Sequence, residues 1–286
     1  MHKHIIITAS DKTYGDFLIN GWLHSLKKNV DLSNTDILVI DFGLSTQQVT
    51  TLIKKGVMIE KGTIKNHIVI QRFLDAGRIL QLSQYSHYSQ ILFIDGGDII
   101  FQKDISSVFE QTPHIFRAVT LELEMFFYDV HVRGKFEEKQ GKMIWEFLKD
   151  KPVINAGVIF APRGLFIHLC DEIRRLISSK EQWGSDQVVV NYVLYKKGVT
   201  LLPATYNYII NTAKEQCILR NGLFFTNDGK KAAIVHNAGR FNFMRSIDNF
   251  GYGKGRNKLR GFLYHIKRIF FIVLDAVKAV AKSHSP

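Results

Sequence analysis

The 286-residue chain holds little that could cross-link or interrupt it. Its two cysteines, Cys170 and Cys217, lie far apart with no Cys-x-x-Cys spacing. That excludes a disulfide framework and a cysteine-based zinc site, and it fits a reducing compartment. There are 5 prolines and no low-complexity run, so no long flexible linker is expected. No apolar stretch approaches the ~20 residues of a membrane-spanning helix. Met1 passes almost directly into Ile5-Ile6-Ile7, without a charged leader, a long apolar stretch and a cleavage site. No signal peptide is read there, and a cytoplasmic location is expected.

Acidic residues are also scarce: 38 Lys and Arg stand against 26 Asp and Glu, a net charge of +12. Such a balance points to an anionic partner, whether nucleic acid, a phosphate-bearing ligand or a membrane surface. The excess is local. From Lys254 onward eight basic residues face one acid, Asp275, so +7 of the charge sits in this tail. Leu259, Phe262, Leu263, Ile266, Phe270, Val273 and Val277 keep helical spacing there, with Lys258, Arg260, Lys267, Arg268, Lys278 and Lys282 toward the other sides. A basic amphipathic helix of this kind reads as an anchor on anionic lipid at the inner membrane face. Its alternatives are a helix docked on the domain or an oligomer contact. Nucleic acid is disfavoured, because the charge is gathered on a hydrophobic helix rather than interleaved with surface aromatics.

Hydrophobic residues make up 46% of the chain, enough for a sizeable core. Short apolar runs alternate with helical patterns. Residues 5–9, 37–40, 57–59 and 91–94 read as strands. Residues 15–28, 45–55 and 70–85 read as helices, with Ser45 as an N-cap. This alternation predicts an α/β fold with a mostly parallel central sheet covered on both faces. Further on, 153–160 reads as a strand and 165–177 and 186–195 as helices. Residues 223–235 read as a hairpin turning at Asn227-Asp228-Gly229. Residues 125–142 break the pattern and read as a mobile loop over the site. Glycine-rich 251–255 marks a boundary between a domain at 1–250 and a tail at 251–286.

Ligands of such sheets bind beyond the carboxyl ends of the strands. There the sequence offers Ser10-Asp11, Asp41 and Asp95-Gly96-Gly97-Asp98. The last is the strongest signal. Carboxylates at the end of a buried strand are costly unless something neutralises them. Two hard oxygen donors close together suit Mg²⁺ or Mn²⁺ bridging a diphosphate, and the glycines allow close backbone approach. Taken alone, the motif also reads as an acidic turn capping the next helix. Four more pieces follow in order: Asn155-Ala156-Gly157-Val158, Asp186-Gln187, Leu202-Pro203 with Tyr206-Asn207, and Val235-His236-Asn237-Ala238-Gly239. Singly, each reads as a turn residue, an N-cap, a loop residue and a satisfied polar group.

Together, in this order, these residues resemble the family 8 glycosyltransferases, retaining enzymes of the GT-A fold that include glycogenin and bacterial lipooligosaccharide galactosyltransferases. The resemblance covers about residues 5–240. It implies a metal set of Asp95, Asp98 and His236. It implies that Asn155, Asp186 and Gln187 face the donor sugar and the catalytic centre. Ala9, Asp11 and Tyr14 match the region that holds uridine. Arg78 matches an arginine near the donor diphosphate. The family's Asp-x-Asp is one residue longer here. Either a bulge keeps Asp95 as a ligand, or Gly96 takes that place and Asp98 carries the metal almost alone. After Gly239, Arg240 or Arg245 stands where the family has a phosphate-contacting lysine.

The resemblance implies a Mn²⁺- or Mg²⁺-dependent, retaining transfer of a hexose from a UDP-sugar to a lipid-linked or cell-surface glycan, such as a lipooligosaccharide core. Two other readings remain. A nucleotidyltransferase shares the sheet and acidic site, but Ala9-Ser10-Asp11-Lys12 is a poor match to its glycine- and lysine-rich loop. A catalytically inactive sugar-nucleotide binder is permitted by the altered acidic motif.

Overall fold

Strand β1 (His4–Ser10) sets the plan of the molecule. Ile5 and Ile7 turn into one hydrophobic core and Ile6 into a second, because successive side chains of a strand point to opposite faces. Leu38 and Ile40 split from Val39, and Ile91 and Phe93 from Leu92, in the same way. A strand that feeds two cores has no polar face, which is why these segments read as continuous apolar runs.

The computed structural model describes residues 3–121, 127–132, 135–177, 184–210, 218–239 and 242–258, and Ile266 and Phe270 beyond them. After β1, the chain runs through α1 (Lys12–Phe17), a π-helical turn at Leu18–Leu23 and α2 (His24–Asn29). The face expected on this helix is the one buried: Leu18, Ile19, Trp22, Leu23 and Leu26 all lie in the core. Then come β2 (Thr35–Asp41), α3 (Thr46–Lys54), β3 (Met58–Lys61), α4 (Ile68–Leu80) and β4 (Gln90–Ile94). Ser45 caps α3 in a capping box with Gln48. β5 (Ile99–Phe101), β6 (Phe116–Leu121), α5 (Phe127–Val132), α6 (Glu138–Leu148), β7 (Val153–Pro162), α7 (Arg163–Leu176) and α8 (Ser185–Lys197) follow. The remaining strands are β8 (Val199–Leu201), β9 (Tyr208–Ile209), β10 (Ile218–Arg220), β11 (Leu223–Phe225), β12 (Ile234–His236), β13 (Ile247–Gly251) and β14 (Lys254–Asn257).

Seven strands form the central sheet in the order β3-β2-β1-β4-β7-β6-β8. It is mostly parallel, with β7 antiparallel to both β4 and β6. A smaller sheet, β5-β12-β9, packs beside it. The glycine-rich stretch expected to mark a boundary is the turn of the β13–β14 hairpin.

Two local expectations are corrected. Residues 223–235 begin as the expected hairpin, with Phe225 bridging Lys231 in antiparallel fashion and the Ala232 N–H donating to the Phe224 carbonyl at 3.1 Å, but they do not complete it. β11 pairs back onto β10, while β12 leaves to pair with β5 and β9. The turn itself forms, with Thr226 N–H donating to the Lys230 carbonyl at 2.8 Å. Beyond Ala232 the chain leaves β11, and Ile234 and Val235 are buried where β12 pairs with its two new neighbours. The stretch at 125–142 is also not an irregular loop in its described part, since α5 and the start of α6 occupy it. The basic tail from Leu259 lies outside the described residues, apart from Ile266 and Phe270. Among the described residues no helix is long and apolar enough to cross a membrane.

Candidate active site

A cavity of about 530 Å³ opens beyond the carboxyl ends of β1 and β4. That volume suits a ligand of nucleotide size. Three helices, α1, α4 and α8, begin at its wall, through Asp11–Tyr14, His67–Val69 and Gly184–Gln187. The positive ends of their dipoles make it a favourable place for anions.

The acidic turn enters from β4. Asp95 and Asp98 flank the two glycines, and β5 starts directly afterwards. β12 pairs with β5 so that His236 stands opposite Ile99, which carries the imidazole to the acidic turn. His236 Nε2 lies 3.6 Å from Asp95 Oδ2 and 3.4 Å from Asp98 Oδ1. One ligand atom from each of the three residues falls within 4.8 Å of the others. Two carboxylates and an imidazole are a donor set for Mn²⁺ or Mg²⁺. The extra residue therefore does not separate the aspartates: the chain turns between two strands there, and both carboxylates come round to His236.

Gly157 on β7 keeps this space open. A Cβ there would come within 2.6 Å of His236 Cε1, 2.7 Å of Asp95 Oδ2 and 2.8 Å of Asn155 Oδ1. The cradle between the ligands thus exists only because this residue has no side chain, and the residues present fit a bound cation.

Two arginines face the same carboxylates. Arg72 on α4 pairs with Asp95. Its guanidinium lies 5.2 and 5.3 Å from the ring centroids of Phe73 and Phe93. Burial pulls its pKa down, opposed by the charges of Asp186 and Asp98. Arg245 lies 3.3 Å from Asp98 Oδ2 and 5.5 Å from the Tyr14 ring. Burial by itself would raise the Asp98 carboxyl. His236, Arg245 and Arg72 outweigh that and hold it below the usual carboxylate range.

Across the cavity, α8 presents Asp186 and Gln187. Gly184 takes a left-handed backbone with φ of 90°, and a Cβ on it would meet His131 Nδ1 at 2.6 Å. Asn191 clamps the helix to β7 through both backbone groups of Ile154, at 2.6 and 2.9 Å. Asp186 is buried, and burial raises its carboxyl above the ordinary range despite Arg72. Asn155 lines the wall between Asp95 and Gln187.

Ala9, Asp11, Tyr14, Asp95, Asp98, Asn155, Asp186, Gln187, His236 and Gly239 all line the cavity. The Asp11 carboxylate also caps α1, accepting from the N–H groups of Thr13 and Tyr14 at 2.9 and 3.1 Å. Arg240 lies outside the described residues. Arg78 does not line the cavity. It pairs with Asp75 at 3.3 Å and donates to the Lys61 carbonyl at 3.2 Å. Six positions along a 3.6-residue helix turn it away from the site that Arg72 faces. Sequence reasoning missed Arg72, because nothing in the period of α4 separates an arginine over the strand ends from one over solvent.

No family model matches the chain, and no curated protein matches it. Its fold does match solved structures. The apo structure of WbbM, a bifunctional glycosyltransferase, superposes with a TM-score of 0.55 at 17% identity, over 85% of this chain and 47% of that one. The chain thus spans about half the length of WbbM. The galactosyltransferase LgtC, in complex with donor and acceptor sugar analogues, gives a TM-score of 0.54 at 11% identity, over 99% of this chain and 97% of that one. An active-site mutant of LgtC gives 0.56 at 12% identity, over 84% and 89%. The chain therefore has the fold of the GT-A glycosyltransferases.

Proposed function

We propose that this protein transfers a hexose from a UDP-sugar to a glycan acceptor, with retention of configuration and with Mn²⁺ or Mg²⁺ as cofactor. The observation that carries this reading is one juxtaposition. Asp95, Asp98 and His236 converge in the cavity, and Asp186 and Gln187 line the same cavity. A fold shared with glycosyltransferases makes sugar transfer the natural use of that pairing.

Asp95, Asp98 and His236 would hold the cation. When bound, it would supply Lewis acidity toward the leaving nucleoside diphosphate. Arg245 and Arg72 add fixed positive charge beside the same carboxylates, placed to stabilise negative charge as it develops on the phosphates. Arg245, or Arg240 outside the described residues, takes the part of the family's phosphate-contacting lysine. Ala9, Asp11 and Tyr14 hold the uridine. Asp186, Gln187 and Asn155 orient the sugar and stabilise an oxocarbenium-like state. An amide is a poor nucleophile, so Gln187 acts by position.

The acceptor is a lipid-linked or cell-surface glycan, reached from the inner membrane face through the basic tail. Ile266 and Phe270 support this, being 45% and 60% exposed apolar residues within the basic stretch. Deleting residues 259–286 leaves the β13–β14 hairpin in place. It should release the protein from anionic liposomes, and unchanged binding by the truncated protein would remove the membrane reading.

The donor site is tested by isothermal titration of UDP with and without Mn²⁺, in the wild type and in Asp98→Ala. Metal-dependent binding that the substitution abolishes is expected. A wild type that ignores UDP in both conditions overturns the assignment of the nucleotide.

A further inference from the structure

His236 can offer a metal only the ring nitrogen that lacks a proton, so its tautomer decides whether the site works. Nε2 is the nitrogen facing Asp95 and Asp98. Nδ1 faces away, 3.0 Å from Asn207 Oδ1. The amide of Asn207 reaches on from there, its Nδ2 donating to Asn155 Oδ1 at 2.9 Å. The same Asn155 oxygen accepts the backbone N–H of Gly157 at 2.9 Å.

A backbone N–H can only donate. That single fixed donor sets the polarity of the whole series. The atom Asn155 turns toward it must be the amide oxygen. The atom Asn207 turns toward that oxygen must then be its NH₂. Asn207 is left with an oxygen facing His236, and an amide oxygen only accepts. The proton must therefore sit on Nδ1, and Nε2 keeps its lone pair. Asn155, Asn207 and His236 are 8%, 2% and 2% exposed, so water does not readily replace a mismatched partner.

We propose that Asn207 and Asn155, anchored by the Gly157 N–H, are positioning residues that hold His236 as the Nδ1–H tautomer and so present Nε2 to a divalent cation. This rests on the metal-binding reading of the site. Neither amide is a ligand. Hydrogen-bonded partners of this kind orient a metal-binding imidazole and raise its basicity, and losing one costs 10–100-fold in metal affinity in general experience. The chain of bonds also occupies Asn155 Oδ1, so Asn155 has its Nδ2 to offer a donor sugar and acts there as a hydrogen-bond donor.

The test uses the full chain, ¹⁵N-labelled and metal-free at pH 8. Two-bond ¹H–¹⁵N spectra read the tautomer, with the His236 signals assigned by their loss in His236→Gln. Mn²⁺ affinity is read separately from the free-ion electron paramagnetic resonance signal. The wild type should show His236 protonated at Nδ1. Asn207→Leu should lose that single tautomer and bind Mn²⁺ about 10–100-fold more weakly. Asn207→Asp keeps an acceptor for Nδ1–H and should retain the tautomer, while its second carboxylate oxygen loses the bond to Asn155 Oδ1. A wild-type Nε2–H form overturns the proposal, as does an Asn207→Leu protein with unchanged tautomer and affinity. If Asn207→Leu does not fold, the wild-type spectrum and Asn207→Asp decide. A wild type with the Nδ1–H form and no Mn²⁺ binding leaves the tautomer assignment standing and removes the metal reading itself.

Discussion

Gly157 and Asp95 are joined twice. The Gly157 carbonyl accepts the Asp95 backbone N–H at 2.9 Å, which fixes where the acidic turn leaves β4. The bare Cα of Gly157 then leaves the space into which the Asp95 carboxylate projects, 2.7 Å from where a Cβ would stand. One residue thus sets the position of the first carboxylate and the room around it.

Gly157→Ala is expected to destroy the cation site with modest harm to the fold. Overpacking of this kind costs about 1–3 kcal/mol. The added carbon displaces His236, Asp95 or Asn155, so Mn²⁺ affinity should fall at least ~10-fold. Metal titration beside a denaturant melt checks both halves. Wild-type Mn²⁺ affinity in the variant would show that the cradle is not where the ion sits.

Arg72 and Arg78 should separate cleanly. Arg72 pairs with Asp95 inside the cavity, whereas Arg78 pairs with Asp75 outside it. Arg72→Ala leaves the half-buried Asp95 carboxylate without its partner and should cost about 1–3 kcal/mol, with loss of UDP-sugar turnover. Arg78→Ala should keep UDP binding close to the wild type. Urea melts and UDP titration on the two variants give the answer, and a larger binding loss in Arg78→Ala would contradict the geometry.

Asp186 should impose a pH-dependent cost on the fold. Burial raises its carboxyl, and Arg72 offsets this only in part. A raised folded pKa favours folding below the unfolded value of about 4, and that contribution is lost as pH rises through the folded pKa. At neutral pH the ionised group therefore opposes folding. Asp186→Asn should melt higher than the wild type at pH 7, lose that advantage near pH ~4, and transfer no sugar. Thermal melts at the two pH values test the sign. A variant that melts lower at pH 7 would mean that the attraction of the nearby Arg72 charge dominates.

Arg117 should matter for stability alone. It is fully buried, and burial lowers its pKa to about 10. It donates to the carbonyls of Val108, Phe109 and Gln111 at 3.1, 2.9 and 3.1 Å and to Gln90 Oε1 at 2.7 Å. Arg117→Met strands these acceptors and should cost about 3 kcal/mol or more. UDP affinity of the folded fraction should stay unchanged. A strong loss of nucleotide binding would show that this end of the sheet communicates with the cavity.

Much of this was legible in the order of residues. Asp98 and Asp95 stood out because charge at the end of an apolar run is anomalous. Ser45 was readable as a cap because Gln48 completes a local pattern. Arg72 was not legible, because a helical period shows which face is apolar and not which polar flank overlooks the strand ends. Asn207 looked like an ordinary loop residue, since its partners, Asn155 and His236, lie far away along the chain.

By itself the sequence determined the alternating strands and helices, the two-faced core and the residue types available for a cation and a sugar. Those follow from short-range pattern: a strand buried on both faces must be apolar throughout, and a cap must lie within one turn of its helix. Tertiary structure alone decided which of those residues meet. His236 reaches Asp98 because β12 pairs with both β5 and β9 after the turn, which sets His236 opposite Ile99. Gly157 and Asn207 acquire their roles only once β7, β9 and β12 are packed together, because a hydrogen-bond polarity set by one backbone N–H passes through space rather than along the chain.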